Sequence, residues 1–306
     1  MISNSALGTE IPPRADMPRP QGLGRSLERT RQTWRRYRRN RLATVGLALL
    51  AFIAILAILA PVLAPISPFA ITGERLAAPG AGRLLGTDHL GRDILSGVLF
   101  GARTSLQVGI FSVLMSVAIG ILVGAVSGYY GGRIDDLLMR VTEVFQVTPQ
   151  FFLALFIVAI FGASIWGIIF VIGILSWAQI ARLLRAEFLA LKERPFVTAA
   201  RAYGAGDAKI IFAEILPNAL SPIIVAGSLQ VAQAILLEAS LSFLGVGDPN
   251  VTSWGMMLNT SQQFLRQAWW TATFPGLAIC VTTLGVALIS DGLNDALNPR
   301  LKELGW

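Results

Sequence analysis

Apolar residues in this chain come in long uncharged runs, not in the short alternations of a half-buried strand or the one-sided stripes of a soluble helix. Leu42 to Ala64 holds no charged residue and reaches across about 30 Å of hydrocarbon, which predicts a spanning helix over 42–64 ended by Pro61 and Pro65. Ser105 to Tyr130 predicts a second, with Gly120, Gly124 and Gly128 four apart, a spacing that lets helices approach closely in lipid. Between Glu143 and Arg182 nothing is charged, and one helix of that length would run about 57 Å, nearly twice what a bilayer needs. The chain must turn back, at Gly162, Ala163 and Ser164, giving a third span over about 144–161 and a fourth over about 165–186. A fifth follows over about 219–240 and a sixth over about 269–290, the last opened by Trp269 and Trp270 where an interfacial aromatic belt would sit. The pattern predicts an all-α membrane protein with six transmembrane helices.

Composition agrees: 54% of the 306 residues are hydrophobic, 14% are charged and the mean hydropathy is +0.63. The net charge of +7 matters for where it lies. Arginines gather at the start and recur between apolar runs, which fits a membrane surface and not a nucleic-acid footprint. Six spans put both termini on one side. With that side cytoplasmic, the inner segments hold the dense run from Arg14 to Arg41, then Arg133, Arg140, the cationic stretch from Arg182 to Lys209, Arg300 and Lys302. The outer segments hold only Arg75, Arg83, Arg92, Arg103 and Arg266. The positive-inside rule therefore places the N- and C-termini in the cytoplasm. The expected organisation is a basic tail over 1–41, the first span, an outer loop over 65–101, a helical bundle over 102–298 and a short tail over 299–306. Polar, Arg-rich residues precede the first span, so it reads as retained and not as a cleaved leader. Residues 1–30 are expected to be disordered, and the arginines from Arg31 to Arg41, with Trp34 and Tyr37, either bind anionic lipid or simply fix topology.

Between the fourth and fifth spans, Arg194 to Pro217 is neither apolar enough to cross nor polar enough to be a loose connection. Pro195 suits a first helical turn, Phe196 to Tyr203 follows with small Ala199, Ala200 and Ala202, and Gly204 with Gly206 ends it. Asp207 caps a second short helix carrying Ile210, Ile211, Phe212, Ile215 and Leu216, which Pro217 terminates. A helix with one small face, tipped by a glycine turn, fits a groove in another protein. Spacing alone leaves equal room for an interfacial pair that merely returns the chain to the membrane.

Thr198-Ala199-Ala200, then Gly204, then Ile215-Leu216-Pro217 resembles the EAA loop of ABC-importer permeases, with Thr198 standing where that family has a glutamate. Further runs narrow the resemblance to the C-type permeases of dipeptide, oligopeptide and nickel importers: LGTDHLGRD from Leu85, GARTSL from Gly101, EASLSFLG from Glu238, Ser253-Trp254-Gly255, and SDGLNDALNPRL from Ser290. Together they cover most of the chain after residue 40. The resemblance implies a permease subunit of the bacterial inner membrane, paired with a homologous second permease, seated on two ATP-binding cassette ATPase subunits and served by an extracytoplasmic solute-binding protein. It also implies a coupling helix in the 194–217 loop, with Thr198, Ala199, Ala200, Tyr203, Gly204, Asp207, Ile215, Leu216 and Pro217 as the ATPase-facing candidates. Peptides are the default substrate, with nickel chelates, glutathione and opine-like compounds as alternatives.

The chemistry the chain lacks points the same way. Its lysines, Lys192, Lys209 and Lys302, are followed by Glu193, Ile210 and Glu303, so no phosphate-cradling Lys-Ser or Lys-Thr loop can form, and if transport is ATP-driven, as the resemblance implies, the nucleotide must be hydrolysed by a partner. His89 and Cys280 are the only histidine and cysteine, which leaves no zinc cluster, disulfide framework or intramembrane protease constellation; no catalytic residue and no cofactor are expected in this chain. A secondary transporter or channel is the other class to weigh, but it would usually carry internal repeats or several midplane ionisable groups, and neither is visible. Cys280 reads as a packing residue. His89 reads as structural, with Asp88 and Arg92 forming local hydrogen bonds and ion pairs. Arg140 and Glu143 form a candidate same-face pair. Glu238, at the end of the fifth span, either faces the pathway or lies at a subunit or outer interface, and Ser240 and Ser242 share that reading.

Overall fold

The computed structural model describes residues 34–297 except Arg36 and Ala81. Expectations for the tail over 1–33, for Arg300 and Lys302, for the end of the run from Ser290 and for 299–306 lie outside the described residues. Every regular element described is helical, and extended pairing is limited to isolated bridges such as Ile71 with Arg92.

Helix α1 (Arg41–Leu63) is capped by Asn40, whose side-chain oxygen accepts from the Ala43 N–H. The Asn40 amide also donates to Asp295 near the end of the last helix, 2.9 Å away. Helix α2 (Ile94–Tyr130) starts at Ile94, well before the expected Ser105. The Asp93 carboxylate accepts from both the N–H and the hydroxyl of Ser96, each at 2.8 Å, and this cap starts the helix in the polar run ahead of the apolar one. The helix is about 55 Å long, so it projects well beyond a bilayer and carries Arg103 on an exposed face.

The third expected span is two helices, α3 (Gly132–Val147) and α4 (Gln150–Phe161), bent by 83°. Pro149 supplies no N–H and disfavours helical geometry at Thr148, whose ψ of 127° is extended. Alone, α4 is about 18 Å long, too short to cross. Helix α5 (Ile165–Leu191) follows the Gly162 turn, with Ser164 as its cap. Helix α6 (Pro195–Ala202) forms as the loop predicts. The second short helix does not end at Pro217; it is the first part of α7 (Asp207–Val246). Ahead of Pro217 the helix widens into a π turn over Ile210–Ile215, with the Leu216 N–H reaching Ile211. That widening absorbs the proline ring and lets the helix continue. Helix α8 (Trp254–Ser261), which the apolar pattern does not announce, and α9 (Trp270–Leu297) complete the chain. Five helices are long and apolar enough to cross a membrane, or six if the bent pair counts as one.

The spine is the pair α2 and α5. A Cβ placed on Gly120 would lie 2.6 Å from the Cβ of Ile180, one on Gly124 2.5 Å from the Ala181 carbonyl, and one on Gly128 2.5 Å from the Cβ of Phe188. The four-residue glycine spacing therefore permits the close approach read from sequence. At one end of the bundle, the segment between α1 and α2 folds into a cap. Trp270 is buried there and donates its indole N–H to the Thr87 carbonyl at 3.1 Å, while Trp269 stays exposed; only Trp269 suits an interfacial belt. His89 stacks on Phe264 with centroids 5.1 Å apart. Asp88 accepts from the Leu90 and Arg92 N–H groups at 2.8 Å each, but the Arg92 guanidinium lies over Phe69 and forms no ion pair with it.

Candidate pathway and coupling surface

The 83° bend opens a half-enclosed cleft of about 880 Å³ between α3, α4, α5 and α7. Its walls carry Gln146, Thr148 and Gln150 around the break, Ser176 and Gln179 from α5, and Gln230, Gln233 and Ser240 from α7. On α7 the lining positions 230, 233, 237 and 240 fall on one helical face. None of the lining residues carries a formal charge.

Two of these glutamines are built into the wall. Gln230, buried, takes a hydrogen bond from the Ser116 hydroxyl at 3.1 Å and donates to the Ser176 carbonyl at 3.1 Å. Gln150 donates to the Ser176 hydroxyl at 2.6 Å, which in turn donates to the Ile172 carbonyl. These bonds tie the start of α4, just past the break, to α5, and α5 to α7. Gln146, Gln179 and Gln233 are exposed and have no side-chain hydrogen bond among the described residues. An unpaired amide on a spanning helix is costly against lipid, so such groups belong beside water or protein. Sequence reasoning passed over all five glutamines. The available signal was their position inside otherwise apolar runs, with Gln230 and Gln233 on the face that leads to Ser240.

Of the three residues expected at a pathway or interface, Ser240 lines the cleft. Glu238 is only 2% exposed and Ser242 is buried, both within this chain. The Ser242 hydroxyl donates to one Glu238 carboxylate oxygen at 2.7 Å, and the Ser105 hydroxyl lies 3.5 Å from the other. Within this chain the Glu238 carboxyl does not line the cleft and joins α2 to α7 through hydroxyls. The expected Arg140–Glu143 pair is also replaced. Glu143 meets Arg182 at 3.5 Å, and Asp135 meets Arg185 at 2.5 Å and accepts a short hydrogen bond from Ser127. Both ion pairs join α3 to α5 across the bundle, which puts Arg182 and Arg185 on the face that α3 packs against.

At the end of the bundle opposite the cap, α6 forms an elbow. Val197 is fully buried against Leu184, Phe188, Ile210, Ile211 and Ile215. Gly204 turns the chain at φ +78° and the Ala205 N–H returns to the Ala200 carbonyl at 3.0 Å. Tyr129, at the end of α2, donates its hydroxyl to Asp207 at 2.7 Å, and the Arg201 guanidinium covers its ring. Thr198, Ala199 and Gly204 are exposed, Ala200 is half-buried and Tyr203 is 91% exposed. Ile215 is fully buried, so its part is to hold the elbow. Among the described residues no three His, Cys, Asp or Glu side chains gather as a metal site.

A bundle of helices able to span a membrane, with an uncharged cleft that mixes glutamines and apolar side chains, has the build of a membrane permease. Residues 116–303 match the family described as binding-protein-dependent transport system inner membrane component, and residues 29–79 match the N-terminal TM domain of oligopeptide transport permease C. The chain belongs to the first of these families, the permease subunits of ATP-binding-cassette transporters, in which ATP is hydrolysed by a separate subunit. It is 43% identical over 230 residues to the dipeptide transport system permease protein DppC of Alkalihalophilus pseudofirmus, covering 75% of this chain and 76% of the relative. It is 40% identical over 251 residues to the di/tripeptide transport system permease protein DppC of Pseudomonas aeruginosa (79% and 83%), and 42% identical over 226 residues to the glutathione transport system permease protein GsiD of Pectobacterium atrosepticum (74% and 75%).

Proposed function

We propose that this permease forms half of the transmembrane pathway of a peptide importer, with the Gln-lined cleft as its share of the route. The cleft carries the reading. A half-enclosed surface with unpaired carboxamides on spanning helices needs a second wall, which a homologous permease would supply. Relatives named for dipeptides, di/tripeptides and glutathione, itself a tripeptide, favour small peptides as cargo. The exposed small face of α6, with Tyr203 and Gly204, is the surface on which we place an ATPase subunit, one under each permease. A solute-binding protein would deliver cargo at the cap. The charge asymmetry of the loops supports a cytoplasmic elbow and cytoplasmic termini.

The test is a pull-down from detergent-solubilised membranes, comparing wild type with Gly204→Asp. A Cβ on Gly204 meets nothing within 4 Å, and aspartate tolerates positive φ better than most residues, so the variant alters the surface at the cost of local strain in the turn, and its retention of the second permease reports that the bundle still folds. Wild type is expected to bring down a second permease and an ATPase, and the variant to keep the permease and lose the ATPase. Wild type that inserts but retains no ATPase under mild conditions would remove the coupling assignment.

A further inference from the structure

The cleft sorts its glutamines into two sets. Gln150 and Gln230 are held by Ser116 and Ser176 and shape the wall. Gln146, Gln179 and Gln233 present carboxamides that no described residue engages. The formal charges one turn away on the same helices, Glu143 beside Gln146 and Arg182 beside Gln179, pair with each other at 3.5 Å and largely cancel. The surface offered to cargo therefore mixes apolar side chains such as Phe145, Phe151 and Leu237 with carboxamides able to donate and accept, and carries no formal charge.

We infer that Gln146, Gln179 and Gln233 make the route indifferent to the net charge of its cargo. The inference rests on the pathway reading above and extends it to a selection rule. A carboxamide offers the same donor and acceptor pair as a peptide bond, so it can exchange hydrogen bonds with any peptide backbone whatever the side chains. A fixed charge on that wall would act differently. It would hold opposite charges and repel like ones, and conduction requires that cargo leave a site as readily as it enters. Substituting neutral walls for charged ones keeps acidic, neutral and basic peptides on similar footing once the solute-binding protein has released them.

The experiment uses the whole complex in proteoliposomes, with its second permease, ATPases and binding protein, and follows uptake of labelled Ala-Ala, Ala-Glu and Ala-Lys. Each variant rate is divided by the wild-type rate for the same peptide, so that preferences of the binding protein cancel. In Gln179→Glu with Gln233→Glu, uptake of Ala-Glu is expected to fall about tenfold relative to Ala-Ala, equivalent to about 1.4 kcal/mol. The corresponding lysine pair is expected to lower uptake of Ala-Lys about tenfold relative to Ala-Ala, so that the sign of the wall charge decides which peptide is disfavoured. Variants that change all three ratios alike, whether by no effect or by general loss, overturn the inference while leaving the peptide pathway standing. Wild-type complexes that take up none of the three peptides would sink the peptide reading itself and this inference with it.

Discussion

Gly124 shows how much one residue controls in this bundle. Its Cα lies so near α5 that a Cβ would meet the Ala181 carbonyl at 2.5 Å and the Leu184 Cβ at 2.9 Å, both on a neighbouring helix that is itself well packed. Gly124→Val is expected to destabilise by about 1–3 kcal/mol through overpacking, seen as a lower melting temperature in detergent. A variant that melts with wild type would mean that the two helices do not approach so closely. This residue was legible in sequence because glycines at four-residue spacing have few other uses in lipid. The five glutamines were not read, because attention to formal charge overlooks neutral amides. For Glu238 the sequence shows a carboxylate at the end of a span, and only the packing shows that Ser105 and Ser242 meet it.

Proline decides two elements with opposite outcomes. At Pro149 the chain breaks, and at Pro217 it bulges and continues. The difference lies in surroundings: Ile210, Ile211 and Ile215 bury the wide turn against α5 and α6, whereas Val147 and Pro149 are exposed and nothing holds the helix straight there. Apolar runs alone could not separate these cases, which is why the third span was read as continuous and the fifth as starting late. Pro149→Ala removes the steric cause of the break. Spin labels on exposed Leu137 and Phe156 should then report a longer mean separation as the bend relaxes. An unchanged separation would assign the bend to the Gln150–Ser176 bond and the ion pairs of α3 instead.

At the scale of the molecule, five of the six expected spans and their order were readable from uncharged runs, while the bent pair at the third, the cap, α8 and the early start of α2 depend on capping and tertiary contacts that hydropathy does not report. The proposed orientation is open to direct measurement. In a Cys280→Ser background, Leu84→Cys in the cap and Tyr203→Cys on the elbow both sit on exposed positions. A membrane-impermeant maleimide applied to intact spheroplasts is expected to label the first at once and the second only after permeabilisation; the reverse order would invert the assignment. The length of α2 carries a further consequence. The Thr87–Asp93 bridge and the bond from the Ile94 N–H to the Gly86 carbonyl tie one end to the cap, Trp254 on α8 donates to the Val98 carbonyl nearby, and Tyr129 fastens the other end to Asp207. A stiff rod of about 55 Å that tilts by about ten degrees sweeps its tip through about 10 Å. Leverage of that kind means the two faces of the molecule cannot be repositioned independently: any force that swings the elbow is felt, through a single uninterrupted helix, at the far rim.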